Sequence, residues 1–392
     1  MGKKKIAYIN KDMLIWARGT TPFSSPEDVE SRFNNISAEK LRKWENGEEL
    51  PSITEAKELA SKYKLPFACF YLSSYPEKSP KSYIDRRPFW DATGMVESYE
   101  LWSEKKRICE DRETILSFLD DEEKIEIKFP TFSTDMSNKE IANQVREILG
   151  VNLPFLSKKE YGSKSYKFYR DLLENNGIIV EQILDVDLRE MRGLSIYMEN
   201  LPIIAINSKD FDKAKTFSLF HELAHIIRRS SSLCLIEEET SNDEEIECDK
   251  LAAEILMPFD LFRFEAVKII ESYREWNKNT LTKLADKFGV SIIATFRRLK
   301  DVGLISEETY YSKIKELKRE FEEIEDLLKS KKEKEDFKIP YHVRFVNKHG
   351  ILVPKTIIKA YGKGKIAYSE IGKIFNVKTM HINKIIEAVM VR

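Results

Sequence analysis

Two histidines stand four residues apart in the stretch Thr216-Phe-Ser-Leu-Phe-His-Glu-Leu-Ala-His-Ile226. If the stretch is helical, that spacing puts both imidazoles on one face, a single turn apart. Glu222 follows the first histidine directly. The result is H-E-x-x-H, in which two histidines hold zinc and the carboxylate serves as general base toward the water that the metal activates. The chain has five histidines in all, so finding two of them here argues for a site rather than for scatter. Phe217, Phe220, Ala224 and Ile227 form an apolar stripe beside the histidine face, as a packed helix requires.

A catalytic zinc needs a third protein ligand and an open position. Beyond His225, Glu245-Ile-Glu-Cys-Asp-Lys-Leu-Ala-Ala-Glu-Ile-Leu-Met-Pro258 starts a second helical pattern. Glu245, Asp249, Ala252, Ala253 and Leu256 share one of its faces. Two carboxylates on the inward face of a helix are costly to bury unless they are paired or bound to metal. Glu245 is therefore the expected third ligand, and Asp249 the acceptor that orients one histidine through its ring N–H. Cys248 lies close to the same face and is the rival ligand; as a buried thiol it would act instead as a small apolar side chain. Glu237, Glu238, Glu239, Asp243, Glu244 and Glu247 read as solvated acids.

Together these two stretches resemble the ImmA/IrrE family of gluzincin metallopeptidases, whose pattern joins an F-T-x-x-H-E-x-x-H helix to an E-x-x-A-N-x-x-A-A-x-x-L-M-P helix. Phe217, His221, Glu222 and His225 match the first part; Glu245, Ala252, Ala253, Leu256, Met257 and Pro258 match the second. Ser218, Cys248 and Asp249 stand where the family usually has Thr, Ala and Asn. Aspartate at the last of these fits the E-x-x-x-D form of thermolysin-like enzymes. The resemblance implies peptide hydrolysis with Zn2+, for which Mn2+ could substitute, because two histidines and a glutamate discriminate weakly among divalent ions. It also implies a narrow protein substrate, a cognate repressor or a toxin or antitoxin protein.

The elements that must position these residues predict an α+β, predominantly helical fold. A helix-turn-helix at 1–76 precedes a helical connector at 77–128. The zincin-like peptidase with a small mixed sheet covers 129–265, a helix-turn-helix-like, winged-helix-like segment 266–310, and a C-terminal helical region 311–392. At the start, Lys11–Arg18, Pro26–Phe33, Ser37–Asn46 and Ile53–Tyr63 read as short helices, the third capped by Ser37 and stopped by Gly47. The run Ile36 to Pro51 resembles the Xre class of DNA-binding modules, with Lys40, Arg42 and Lys43 as the candidate DNA contacts and Leu41 and Trp44 as core. Glu39, Glu45, Glu48 and Glu49 intersperse that helix and weaken its attraction for phosphate, which leaves protein docking as the competing role.

Within the peptidase region, Gly177–Leu184, Leu194–Met198 and Leu201–Asn207 read as strands, and Pro202 suggests that the last is an edge strand able to pair with an extended substrate. Gly289 makes a turn and Ser291 a cap in the helical pair 281–299, where Arg297 and Arg298 could contact DNA or the helices could support the active site. A charged helix at 311–336 keeps apolar residues at spacings of three and four and could pair two chains as a homodimer. The segment 338–392 has a strand-like start. His342, His349 and His381 stand at no ligand spacing.

Composition sets the outer limits. Hydrophobic residues make up 42% and charged residues 33% of 392, with a net charge of −1. Any nucleic-acid role must therefore come from a local patch. The four cysteines form no C-x-x-C pair, which points to neither a disulfide framework nor a zinc ribbon. No apolar run approaches the roughly 20 residues of a membrane span, and no apolar segment of signal-peptide type follows Met1–Ile6. A cytoplasmic protein without membrane partners is expected.

Overall fold

The computed structural model describes residues 5–75, 97–119, 127–133, 135–155, 164–229, 232–234, 243–317, 319 and 339–390. They fall into two units, Met1–Glu110 and Asp111–Arg392. Most of the charged helix expected at 311–336 lies outside the described residues.

The first unit contains α1 (Lys11–Gly19), α2 (Pro26–Arg32), α3 (Ala38–Asn46), α4 (Ile53–Lys62), a 3-10 turn at Phe67–Tyr71 and the first part of α5 (Tyr99–Phe118). Local chemistry sets the ends of these helices. Asn10 caps α1, and Ser25 with Asp28 and Ser52 with Glu55 form reciprocal capping boxes on α2 and α4. Gly47 closes α3 in the left-handed conformation, φ 78°. Ser37 occupies the N-cap position of α3 but makes no side-chain capping bond. Leu14, Val29, Leu41, Trp44, Leu59, Tyr63 and Phe70 build the core. Arg18 grips the buried Glu45 through two hydrogen bonds, of 2.8 and 3.0 Å. Glu45 thus belongs to the interior rather than to the outer face of α3.

The second unit is organised around a four-stranded sheet of β1 (Ile179–Ile183), β2 (Gly193–Ile196), β3 (Ile203–Asn207) and β4 (Ser232–Cys234), in the order β1-β3-β2-β4. β1 runs parallel to β3, while β2 is antiparallel to both β3 and β4. The expectation that Pro202 marks an edge strand is corrected here: β3 lies inside the sheet. Pro202 stands one residue before the strand, so its missing N–H removes no bond from the ladder, and its carbonyl accepts from Ile179.

α6 (Asn138–Leu149), α7 (Ser165–Asn175), α8 (Asp212–Ile227) and α9 (Asp243–Leu256) pack with the sheet. α10 (Phe259–Tyr273), α11 (Lys278–Phe288) and α12 (Ile292–Asp301) follow, and residues 307–317 form α13. Leu284, Phe288, Phe296 and Leu299 of α11 and α12 join the same core as Phe220 and Leu223 of α8. Gly289 between them is left-handed, φ 66°, and Ser291 caps α12. The chain ends in α14 (Tyr341–His349), α15 (Leu352–Gly362), α16 (Tyr368–Ile374) and α17 (Ile382–Met390). The strand-like start expected near 338 is instead the helix α14. Its β-branched and aromatic residues have strand propensity, but Phe345 and Val346 gain more by burial. Among the described residues no helix is long and apolar enough to cross a membrane.

Candidate metal centre

From Leu219 to Ile227 helix α8 is buried on every side, as expected of a helix at the centre of a core. His221, Glu222 and His225 are 8%, 0% and 1% exposed. Their one-turn spacing brings the two Nε2 atoms to 3.2 Å. α9 packs along α8 and delivers Glu245, whose Oε2 is 3.0 Å from His221 Nε2 and whose Oε1 is 3.3 Å from His225 Nε2. Two imidazole nitrogens and a carboxylate thus converge at the separations expected of ligands about 2.0–2.2 Å from one ion. The donor set fits zinc. Cys248, the rival ligand, is fully buried in the apolar core.

Asp249 lies one turn beyond Glu245 on α9, and its Oδ1 is 2.8 Å from His221 Nδ1. With Nδ1 so engaged, His221 presents Nε2 to the centre. The other oxygen of Asp249, Oδ2, accepts a 2.8 Å hydrogen bond from Arg297 Nη1 on α12. A relay therefore runs from Arg297 through Asp249 to His221. Burial alone would raise the Asp249 carboxyl, but His221 and Arg297 outweigh it and hold the group below the usual carboxylate range. Burial opposes ionisation of Glu245 in the same way, and the two imidazoles reverse it more strongly. Both carboxylates are therefore charged where a cation would sit.

Glu222 projects toward β2. A Cβ built on Gly193 would lie 2.5 Å from Glu222 Oε1 and about as close to Cγ and Cδ, at 3.0 and 3.1 Å. The bare backbone at Gly193 makes the space in which this carboxylate rests.

The structure unites His221, Glu222, His225, Glu245 and Asp249 within the second unit. It places Lys40, Arg42 and Lys43 on α3 of the first unit, each beside an acid: Lys40 is 3.5 Å from Glu55, Arg42 pairs with Glu27, and Lys43 lies 3.1 and 3.4 Å from Glu39 and Glu49. Sequence reading missed Gly193, which has no motif of its own. It read Arg297 as a DNA contact or part of a supporting helix; its pairing with Asp249 spans 48 positions and leaves no periodic signal.

Residues 181–300 match the family model described as the IrrE N-terminal-like domain, Peptidase_M78. No curated protein matches the chain. Every residue of the centre and its relay lies inside the matched range, in agreement with the resemblance drawn from the two helices, so the part of the chain that carries the site is the part similar to the IrrE N-terminal-like domain.

Proposed function

We propose that the chain is a zinc-dependent endopeptidase that cleaves a specific regulatory protein in the cytoplasm, a DNA-binding repressor or a toxin–antitoxin partner. The observation carrying this reading is the convergence of His221, His225 and Glu245 beside Glu222, a carboxylate outside the ligand group. A purely structural zinc site usually has four protein ligands and needs no such neighbour. The same donor set would accept manganese.

His221, His225 and Glu245 would hold the ion, which supplies Lewis acidity toward the peptide carbonyl and toward water. Glu222 takes a proton from the attacking water as its oxygen adds to the carbonyl carbon, then returns it to the amine as the C–N bond breaks. Asp249 keeps His221 in the tautomer that presents Nε2, and Arg297 keeps Asp249 in place. β4 ends the sheet on the side of β2, the strand over which Glu222 lies. An extended substrate adding to that edge would be held by its backbone, with little demand on side-chain sequence.

The first unit would carry recognition. Lys40, Arg42 and Lys43 are its candidate DNA contacts, but each would have to exchange a carboxylate for a phosphate. Their contribution would be small and steeply salt-dependent, which favours docking to a protein partner.

The test is elemental analysis of wild type, His221→Ala and Glu222→Gln, alongside cleavage of the repressor or toxin encoded next to the gene. Glu222→Gln should keep the full metal complement and lose cleavage; His221→Ala should hold one equivalent fewer and cleave nothing. Cleavage retained by Glu222→Gln would sink the mechanism. Unchanged metal content in His221→Ala would sink the site.

A further inference from the structure

A second group of metal-ligating side chains meets elsewhere in the second unit. Asp111 comes from the C-terminal part of α5, Glu181 from β1 and His349 from the last residue of α14. One ligand atom from each lies within 4.8 Å of the other two. His349 Nδ1 is 3.5 Å from Glu181 Oε1 and 3.8 Å from Asp111 Oδ2. These separations exceed the usual range of an N···O hydrogen bond. They approach the roughly 3.4 Å between tetrahedral ligands at about 2.1 Å from one ion. Two carboxylates and a neutral imidazole carry two negative charges, the complement of a divalent cation. Glu181 is 0% exposed, and the side chains of His349 and Asp111 are only 13% and 21% exposed.

Neighbouring bonds hold all three residues in place. Arg112, beside Asp111, is buried and donates from Nε to the Leu201 carbonyl at 3.0 Å. Arg170 donates from Nε to the carbonyl of Val180, next to Glu181, at 3.0 Å. The same guanidinium reaches the Lys348 carbonyl at 3.1 Å and that of Asn347 as well, immediately before His349. On the other side, Glu174 accepts from the N–H groups of Ile351 and Leu352 at 3.0 and 3.3 Å. Ligands fixed from both sides in this way have the preorganisation that a metal site requires.

We propose that Asp111, Glu181 and His349 form a second divalent-metal site, suited by its mixed imidazole and carboxylate donors to zinc or manganese, which staples α5 and α14 to the β1 edge of the sheet. Asp111 and His349 lie outside the matched range 181–300, and the site does not depend on the peptidase reading. The experiment loads the full chain with Zn2+ or with Mn2+, removes excess ion and counts bound metal. Wild type should hold two equivalents. The double variant His221→Ala/His225→Ala should hold one, and so should His349→Ala and the near-isosteric Glu181→Gln. One equivalent in wild type that is lost with His221 and His225, or two retained in Glu181→Gln, would overturn the site and leave an ion-paired histidine. If His349→Ala does not fold, thermal unfolding of His221→Ala/His225→Ala decides: added Zn2+ should raise its Tm, and an unchanged Tm overturns the proposal.

Discussion

Arg297 and Gly193 adjoin the candidate metal centre without belonging to its ligand group. Arg297 reaches His221 only through Asp249, so its loss should loosen the imidazole rather than remove a ligand. Partners of metal-ligating residues typically contribute 10–100-fold in affinity. Arg297→Ala should weaken zinc by about that factor in a chelator competition, and Arg297→Lys should recover part of it by keeping the charge. Equal zinc affinity in all three proteins would show that the relay has no such role. At Gly193 the conflict is steric: an alanine Cβ at 2.5 Å from Glu222 Oε1 must displace the carboxylate. A base moved by about 1 Å can cost on the order of a hundredfold in rate. Gly193→Ala should therefore keep its metal and cleave about a hundredfold more slowly; metal loss without a change in rate would contradict this reading.

Among the elements, the contact of α14 and α15 with α7 and β1 has the clearest energetic signature. Glu174 is buried beside Arg170, and burial raises its carboxyl to about 7, although Arg170 and the N–H groups of Ile351 and Leu352 pull the other way. For an acid whose folded pKa lies above its unfolded value, the stabilisation is full below the unfolded pKa and is lost as pH rises through the folded one. The window here runs from the ordinary glutamate value of 4.5 to about 7, and at about 1.4 kcal/mol per unit the loss approaches roughly 3 kcal/mol. Glu174→Gln removes the titration. Its stability relative to wild type should rise as pH increases from 4.5 to 8, measured by urea unfolding across that range. A difference that stays constant with pH would mean that Glu174 titrates alike in both states.

At the level of the whole molecule, each unit has a core of its own, and the candidate metal centre belongs to the second. An ion bound only by the folded state stabilises it by about 2.7 kcal/mol at a free concentration 100 times its Kd. Chelation should therefore lower the unfolding transition of the second unit by several degrees and leave that of the first in place, as followed by calorimetry. A chelator that shifted both transitions equally would show that the two cores unfold as one. A net charge near zero supplies no long-range attraction to nucleic acid, and the acids beside Lys40, Arg42 and Lys43 act against it locally.

The sequence by itself determined whatever depends on spacing within one element. The four-residue step from His221 to His225, the face shared by Glu245 and Asp249, the stop at Gly47 and the turn at Gly289 are all local, and each stands in the structure. Such features follow from a helical period of 3.6 and from capping within one turn. The short helices of the first unit were legible for the same reason. Tertiary structure alone decided the order of the strands, where Pro202 misled because a proline just before a strand looks in sequence like one within it. It alone turned the strand-like residues of α14 into a helix, since burial of Phe345 and Val346 outweighs intrinsic propensity. Arg297 beside Asp249, Gly193 beneath Glu222, and Asp111 and Glu181 around His349 likewise join residues 29 to 238 positions apart. Contacts at such separations are set by how whole elements pack, and no local period in the chain encodes them.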